Sequence, residues 1–151
     1  SNRSSPSSSS RTFTFCSASP RLCRQWRDSA TPRDIVRMLA ALNNGNVLSA
    51  NSRQVILSSM SRTRTGKRRI PALMPSNAQV LHKTGSLNNT SSDVGIIRGP
   101  NGRSIAVAIY VTGQGAKLSR ERKIAQIARA LYDGMIVNSG RNYAGATYTG
   151  G

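Results

Sequence analysis

Two extended runs that meet at a turn constrain this chain more than any other feature. From Arg103 to Thr112, Ile105, Val107, Ile109 and Val111 alternate with smaller residues. That period of two belongs to a strand with one buried face. Asp93-Val94-Gly95-Ile96-Ile97-Arg98 forms a second apolar run just upstream, and the Gly99-Pro100-Asn101-Gly102 between them carries hairpin-turn chemistry. Gln79 to Ser86 reads as a further strand. Three consecutive strands joined by short connections are expected to lie antiparallel.

Helical signals flank the strands. Thr31 is a good N-cap, Pro32 suits the first helical position, and Asp34 can close a capping box and face the positive end of the helix dipole. Ile35, Met38, Leu39 and Leu42 follow at helical spacing, and Gly45 is placed to end the helix. A second helix is expected from Ser49 or Asn51, with Val55, Ile56 and Met60 as its apolar stripe. After a basic loop, Ser61 to Arg69, the prolines of Ile70-Pro71-Ala72-Leu73-Met74-Pro75 exclude a regular helix. A closing helix runs from Leu118 or Ser119 to Tyr132, with Ile124, Ile127, Ala128 and Leu131 on one face and Gly134 as its stop. The expected fold class is α+β: a three-stranded antiparallel sheet packed by a C-terminal helix and preceded by two helices.

The ends of the chain lack these patterns. Residues 1–27 are a Ser/Arg/Pro-rich leader that cannot bury enough apolar surface to offset ordering entropy, and disorder is expected there. The foldable part is placed at 28–134, with 135–151 as a Gly/Asn/Tyr-rich flexible tail. Cys16 and Cys23 fall in the leader, as a disulfide or as two free thiols. With no second cysteine pair and a single histidine, His82, neither a metal site nor a cofactor is expected. No apolar run reaches transmembrane length, and Phe13 to Cys16 is far too short for the h-region of a signal peptide.

The 151 residues hold 22 Lys and Arg against five Asp and Glu, a formal charge of +17. Non-specific attraction to polyanions follows. The arginines are spread from end to end, and zinc-finger, RNA-binding and basic-zipper patterns are absent, which argues against a dedicated nucleic-acid module, while a basic polyanion (nucleic-acid) binding protein stays open as an alternative of a different class.

Chemistry concentrates in Leu81-His82-Lys83-Thr84-Gly85-Ser86-Leu87, a strand ending in a lysine, a hydroxyl, a glycine and a second hydroxyl. Glycine lets another molecule approach the backbone, and such an edge can bind an extended anionic substrate through main chain and hydroxyls.

The order of these landmarks resembles the C-terminal portion of the class A β-lactamase-like serine hydrolases. The matching pieces are Thr31-Pro32-Arg33-Asp34, Gly45-Asn46-Val47-Leu48-Ser49, Ile70 to Pro75, His82-Lys83-Thr84-Gly85-Ser86, Asp93-Val94-Gly95-Ile96-Ile97 and Gly99-Pro100-Asn101-Gly102. A D-Ala-D-Ala peptidase also carries a Lys-Thr-Gly strand and stays open as an alternative, as does a non-catalytic member that binds cell-wall peptide. The resemblance implies a partial β-lactamase/transpeptidase-like fold and a β-lactam or cell-wall-peptide ligand. It implies a periplasmic or secreted setting. Lys83 would be the catalytic ammonium of the cleft. Thr84, Gly85 and Ser86 would bind substrate, the hydroxyls at its carboxylate and the Ser86 N–H in an oxyanion hole, a donor worth about 3–4 kcal/mol. Arg69 would pair with the substrate carboxylate.

Other family pieces are missing. The residues three before Lys67, Lys83, Lys117 and Lys123 are Arg64, Val80, Gln114 and Arg120, so the Ser-x-x-Lys of the nucleophile is absent. There is no Ser-Asp-Asn, and the only glutamate, Glu121, stands in the closing helix. The expectation is therefore a C-terminal fragment, from a truncated or frameshifted product, that is inactive alone. Its third strand should have a bare edge and one sheet face should lack covering helices. It would then self-associate or pair with the missing N-terminal part.

Overall fold

A computed structural model describes residues 30–45, 47–113 and 115–138. The expected leader with Cys16 and Cys23, and the tail beyond Asn138, lie outside the described residues. The first helix, α1, spans Pro32–Asn44 and starts in a full capping box. The Thr31 hydroxyl accepts from the Asp34 N–H at 3.2 Å, and the Asp34 carboxylate accepts from the Thr31 N–H at 3.1 Å. Gly45 ends it in the left-handed region, at φ 82°.

The second helix, α2, spans Ala50–Ser61 and is capped by Ser49. Its expected stripe is corrected here. Val55 (58% exposed) and Ile56 face solvent, whereas Leu57 is buried. The helix lies at the edge of the sheet and packs mainly against its first strand, so only the narrow strip through Leu57 and Met60 is covered. A 3₁₀ turn at Ile70–Leu73 then buries Ile70 completely.

The strands are β1 (Gln79–Leu87), β2 (Thr90–Arg98) and β3 (Ser104–Thr112), antiparallel in the order β1-β2-β3. Leu87 pairs with Thr90, closing a two-residue turn whose Asn89 sits at φ 58°. Asparagine tolerates that conformation, which explains why β2 begins three residues earlier than its apolar run suggests. His82 lies opposite Gly95, where a Cβ would strike the Leu81 carbonyl and come within 2.9 Å of His82 Cα.

Helices cover both faces of the sheet, contrary to the expected uncovered face. Leu39, Leu42 and Leu57 pack on Leu81 and Ile96 from one side. From the other, Ile124, Ala128 and Tyr132 of α3 (Lys117–Tyr132) pack on Ile97, Val107, Ile109 and Val111. Ala125 rather than Ile127 completes the buried face of α3. Gly134 does not stop the chain's helical course. Asp133–Val137 continue as a π-helical turn that buries Ile136, whose carbonyl accepts from Asn101 Nδ2 at 3.1 Å. That turn occupies the start of the stretch expected as tail. Among the described residues β3 pairs with β2 alone, leaving its other edge without a strand partner.

Candidate active-site wall

The basic loop between α2 and the 3₁₀ turn runs back along β1. Thr63 Oγ1 donates to the His82 carbonyl at 2.6 Å, and the hydroxyls of Thr65 and Thr84 lie 3.0 Å apart. Gly66, at φ 69°, permits this close passage, since a Cβ there would collide with the Thr84 methyl.

The loop delivers Arg69 beneath β1, where it is buried to 3% exposure. All five of its N–H groups are committed. Nη1 donates to the Gly85 carbonyl at 2.9 Å and to the Ser92 carbonyl at 2.7 Å. Nη2 donates to Ser86 Oγ at 2.6 Å, and both Nη2 and Nε reach Glu121 Oε1 at 3.2 Å. A planar fork with five donors is suited to tying two carbonyls, a hydroxyl and a carboxylate together. Because Ser86 Oγ accepts from Arg69, its own O–H proton is left to donate elsewhere.

Deeper in the sheet, Asp93 is fully buried and accepts from the Ile70 N–H at 3.2 Å. Its carboxylate oxygens stand 2.9 Å from His82 Nδ1. This pair fixes the 3₁₀ turn next to Arg69 against the strand that carries Lys83. Sequence reading singled out neither this pair nor the role of Glu121. The signals were a lone carboxylate within an apolar strand and a lone glutamate within an arginine-rich helix.

The structure brings together Arg69, Gly85 and Ser86, and holds Thr84 to the loop through Thr65. Lys83 stands apart. Strand alternation sets it on the face opposite Thr84 and Ser86. Its side chain is exposed and curls over the open edge of β1, where Nζ donates to the Thr84 carbonyl at 2.7 Å. The His82 and Thr84 carbonyls both meet partners outside the sheet, so by the same alternation the Ser86 N–H lies along that open edge. Among the described residues no group of three His, Cys, Asp or Glu side chains converges as metal ligands would.

This is an α+β wall of the kind found in class A β-lactamases. The solved structure of the TLA-1 extended-spectrum β-lactamase matches with a TM-score of 0.68 at 29% identity, over 82% of this chain and 49% of that one. A β-lactamase from Chitinophaga pinensis matches at 0.70 and 27%, over 82% and 50%. Residues 10–135 match the β-lactamase enzyme family, and the chain belongs to that family. The match begins inside the Ser/Arg-rich segment, upstream of Asp28, where the motif-by-motif likeness starts. Curated relatives include β-lactamase VEB-1 of Pseudomonas aeruginosa, 33% identical over 118 residues, which cover 72% of this chain and 40% of that protein. A β-lactamase of Mycobacterium tuberculosis H37Rv is 31% identical over 105 residues, covering 69% and 34%. The chain thus spans well under half the length of these relatives.

Proposed function

We propose that this chain forms the carboxylate-gripping wall of a β-lactam cleft in a serine β-lactamase and does not hydrolyse a β-lactam by itself. The observation that carries this reading is the hydrogen bond from Arg69 Nη2 to Ser86 Oγ at 2.6 Å. It holds a guanidinium charge behind Ser86 and frees the hydroxyl proton to meet a substrate carboxylate, a charge-assisted bond of the stronger kind. Thr84 offers a second hydroxyl, Lys83 a cation over the same edge, and the Ser86 N–H a donor for the developing oxyanion. The role of Arg69 is then indirect: its donors are spent on Ser86, Gly85 and Ser92, so it orients the wall rather than gripping substrate.

Acyl transfer further needs an activated serine, and these 151 residues contain no Ser-x-x-Lys. The nucleophile and its lysine would come from an N-terminal helical half, with 28–134 as the C-terminal part of the joint domain. A periplasmic or secreted setting accords with the family. A D-Ala-D-Ala peptidase-like or cell-wall-binding role would use the same strand, and a preference for acyl-D-Ala-D-Ala peptide over penicillin would favour it.

The test is a binding and turnover pair. Benzylpenicillin at millimolar concentration should shift the amide signals of Thr84 and Ser86, with nitrocefin left intact. Thr84→Val with Ser86→Ala should weaken penicillin binding about tenfold, as expected for two lost hydrogen bonds. Unmoved Thr84 and Ser86 signals overturn the wall, and nitrocefin turnover by the purified chain overturns its inactivity.

A further inference from the structure

We infer a second anion site, beside the β-lactam wall and sharing Glu121 and Gly66 with it, that takes a short multivalent phosphate. A cleft of about 480 Å³ opens between the basic loop and the start of α3, lined by Arg64, Gly66, Lys67, Arg68, Lys117, Leu118 and Glu121. That volume is in the range of small-ligand sites, roughly 300–1,000 Å³. None of Lys83, Thr84, Gly85 or Ser86 lines it.

Four of its seven lining residues are cations, and all four are exposed. The Arg–carboxylate ion pairs among the described residues join Arg69 to Glu121 and Arg129 to Asp133. Arg64, Lys67, Arg68 and Lys117 belong to neither of these and make no side-chain hydrogen bond to another described residue. The single carboxylate in the cleft, Glu121, is already engaged through Oε1 by two N–H groups of Arg69. Four like charges therefore face one concavity with little internal compensation, and a multivalent anion relieves their mutual repulsion.

The start of α3 adds to this field. Lys117 and Leu118 of its first turn line the cleft, so the positive end of a sixteen-residue helix lies beside it. Arginine forks and lysine ammoniums together suit closely spaced phosphate oxygens better than one carboxylate. An open cleft of this volume fits two or three linked phosphates and not the length of a duplex.

The experiment is calorimetric titration of the chain with sodium tripolyphosphate at about 150 mM salt, where diffuse surface attraction is screened. Lys67→Ser with Lys117→Ser, and separately Arg64→Ser with Arg68→Ser, each remove two cleft charges. Arg33→Ser with Arg37→Ser removes two exposed charges from α1 as the control. One tripolyphosphate per chain is expected, weakened about tenfold by either cleft pair and less than twofold by the control. Equal weakening in all three variants, non-saturating binding, or several anions per chain overturns the site. A single-stranded DNA 20-mer whose affinity is indifferent to the cleft variants supports a discrete small-anion site, whereas a DNA affinity that falls with them while tripolyphosphate does not bind overturns it. The penicillin-induced shifts at Thr84 and Ser86 report the wall independently, so failure of either reading leaves the other standing.

Discussion

Arg69 and Glu121, 52 residues apart in the chain, form a buried ion pair at 3.2 Å, with side-chain exposures of 3% and 11%. Removing one member leaves an uncompensated buried charge. Arg69→Ala and Glu121→Ala are each expected to lower unfolding free energy by about 3–5 kcal/mol, with the double variant losing much less than the sum. Urea denaturation of the four proteins in the cycle measures the coupling, and additive losses would contradict it.

The β1–β2 pair predicts a sharp contrast between two glycines. Gly95→Ala drives a Cβ into the Leu81 carbonyl and the His82 backbone, which cannot yield without breaking the ladder. A loss of at least about 3 kcal/mol is expected. Gly102→Ala meets nothing within 4 Å and is disfavoured only by its φ of 77°, a cost of about 1–2 kcal/mol. Denaturation midpoints of the two variants give the comparison directly.

Much of the framework is local in origin, and that part is legible in the sequence. Thr31, Pro32 and Asp34 define the start of α1 within four residues, and the alternation of Ile105, Val107, Ile109 and Val111 defines β3. What escapes is decided across the fold. Thr90-Ser91-Ser92 has no apolar pattern, and only the Asn88-Asn89 turn and its partners on β1 and β3 make it strand. Leu57 replaces Val55 and Ile56 at the α2 contact because the neighbouring strand chooses the face. For the candidate site, the short string around Lys83 flags the strand along which the basic loop and Arg69 are held. The pairing of Arg69 with Glu121, and of Asp93 with His82, has no local signature.

Acid should weaken the cap of α1. Hydrogen bonds from the side chain and then the backbone of Thr31, with Arg37 and Arg33 nearby, hold the Asp34 carboxyl below the usual aspartate range. A depressed folded value means the capping contribution is complete above the ordinary aspartate range and is lost as pH falls through the lowered one. An NMR titration of the Asp34 carboxyl should give a midpoint below that of an unstructured aspartate, and Thr31→Ala should return it toward that value.

The outer edge of β3, without a strand partner among the described residues, predicts association. By ladder alternation the N–H of Ala108 points away from β2, so Ala108→Pro removes an edge donor without cutting the β2–β3 ladder. Sedimentation should show the chain assembling as concentration rises, and the proline variant assembling less while keeping its circular dichroism. A monomer at every concentration would contradict this.

The full subscription of the Arg69 guanidinium has a consequence for how such a cleft can evolve. A side chain with no donor to spare cannot swing to greet a new ligand, so this wall behaves as a die rather than a hand. On the proposed reading, any retuning of selectivity would then be sought at its rim, in Lys83, Thr65 and Thr84, while the base beneath stays unchanged.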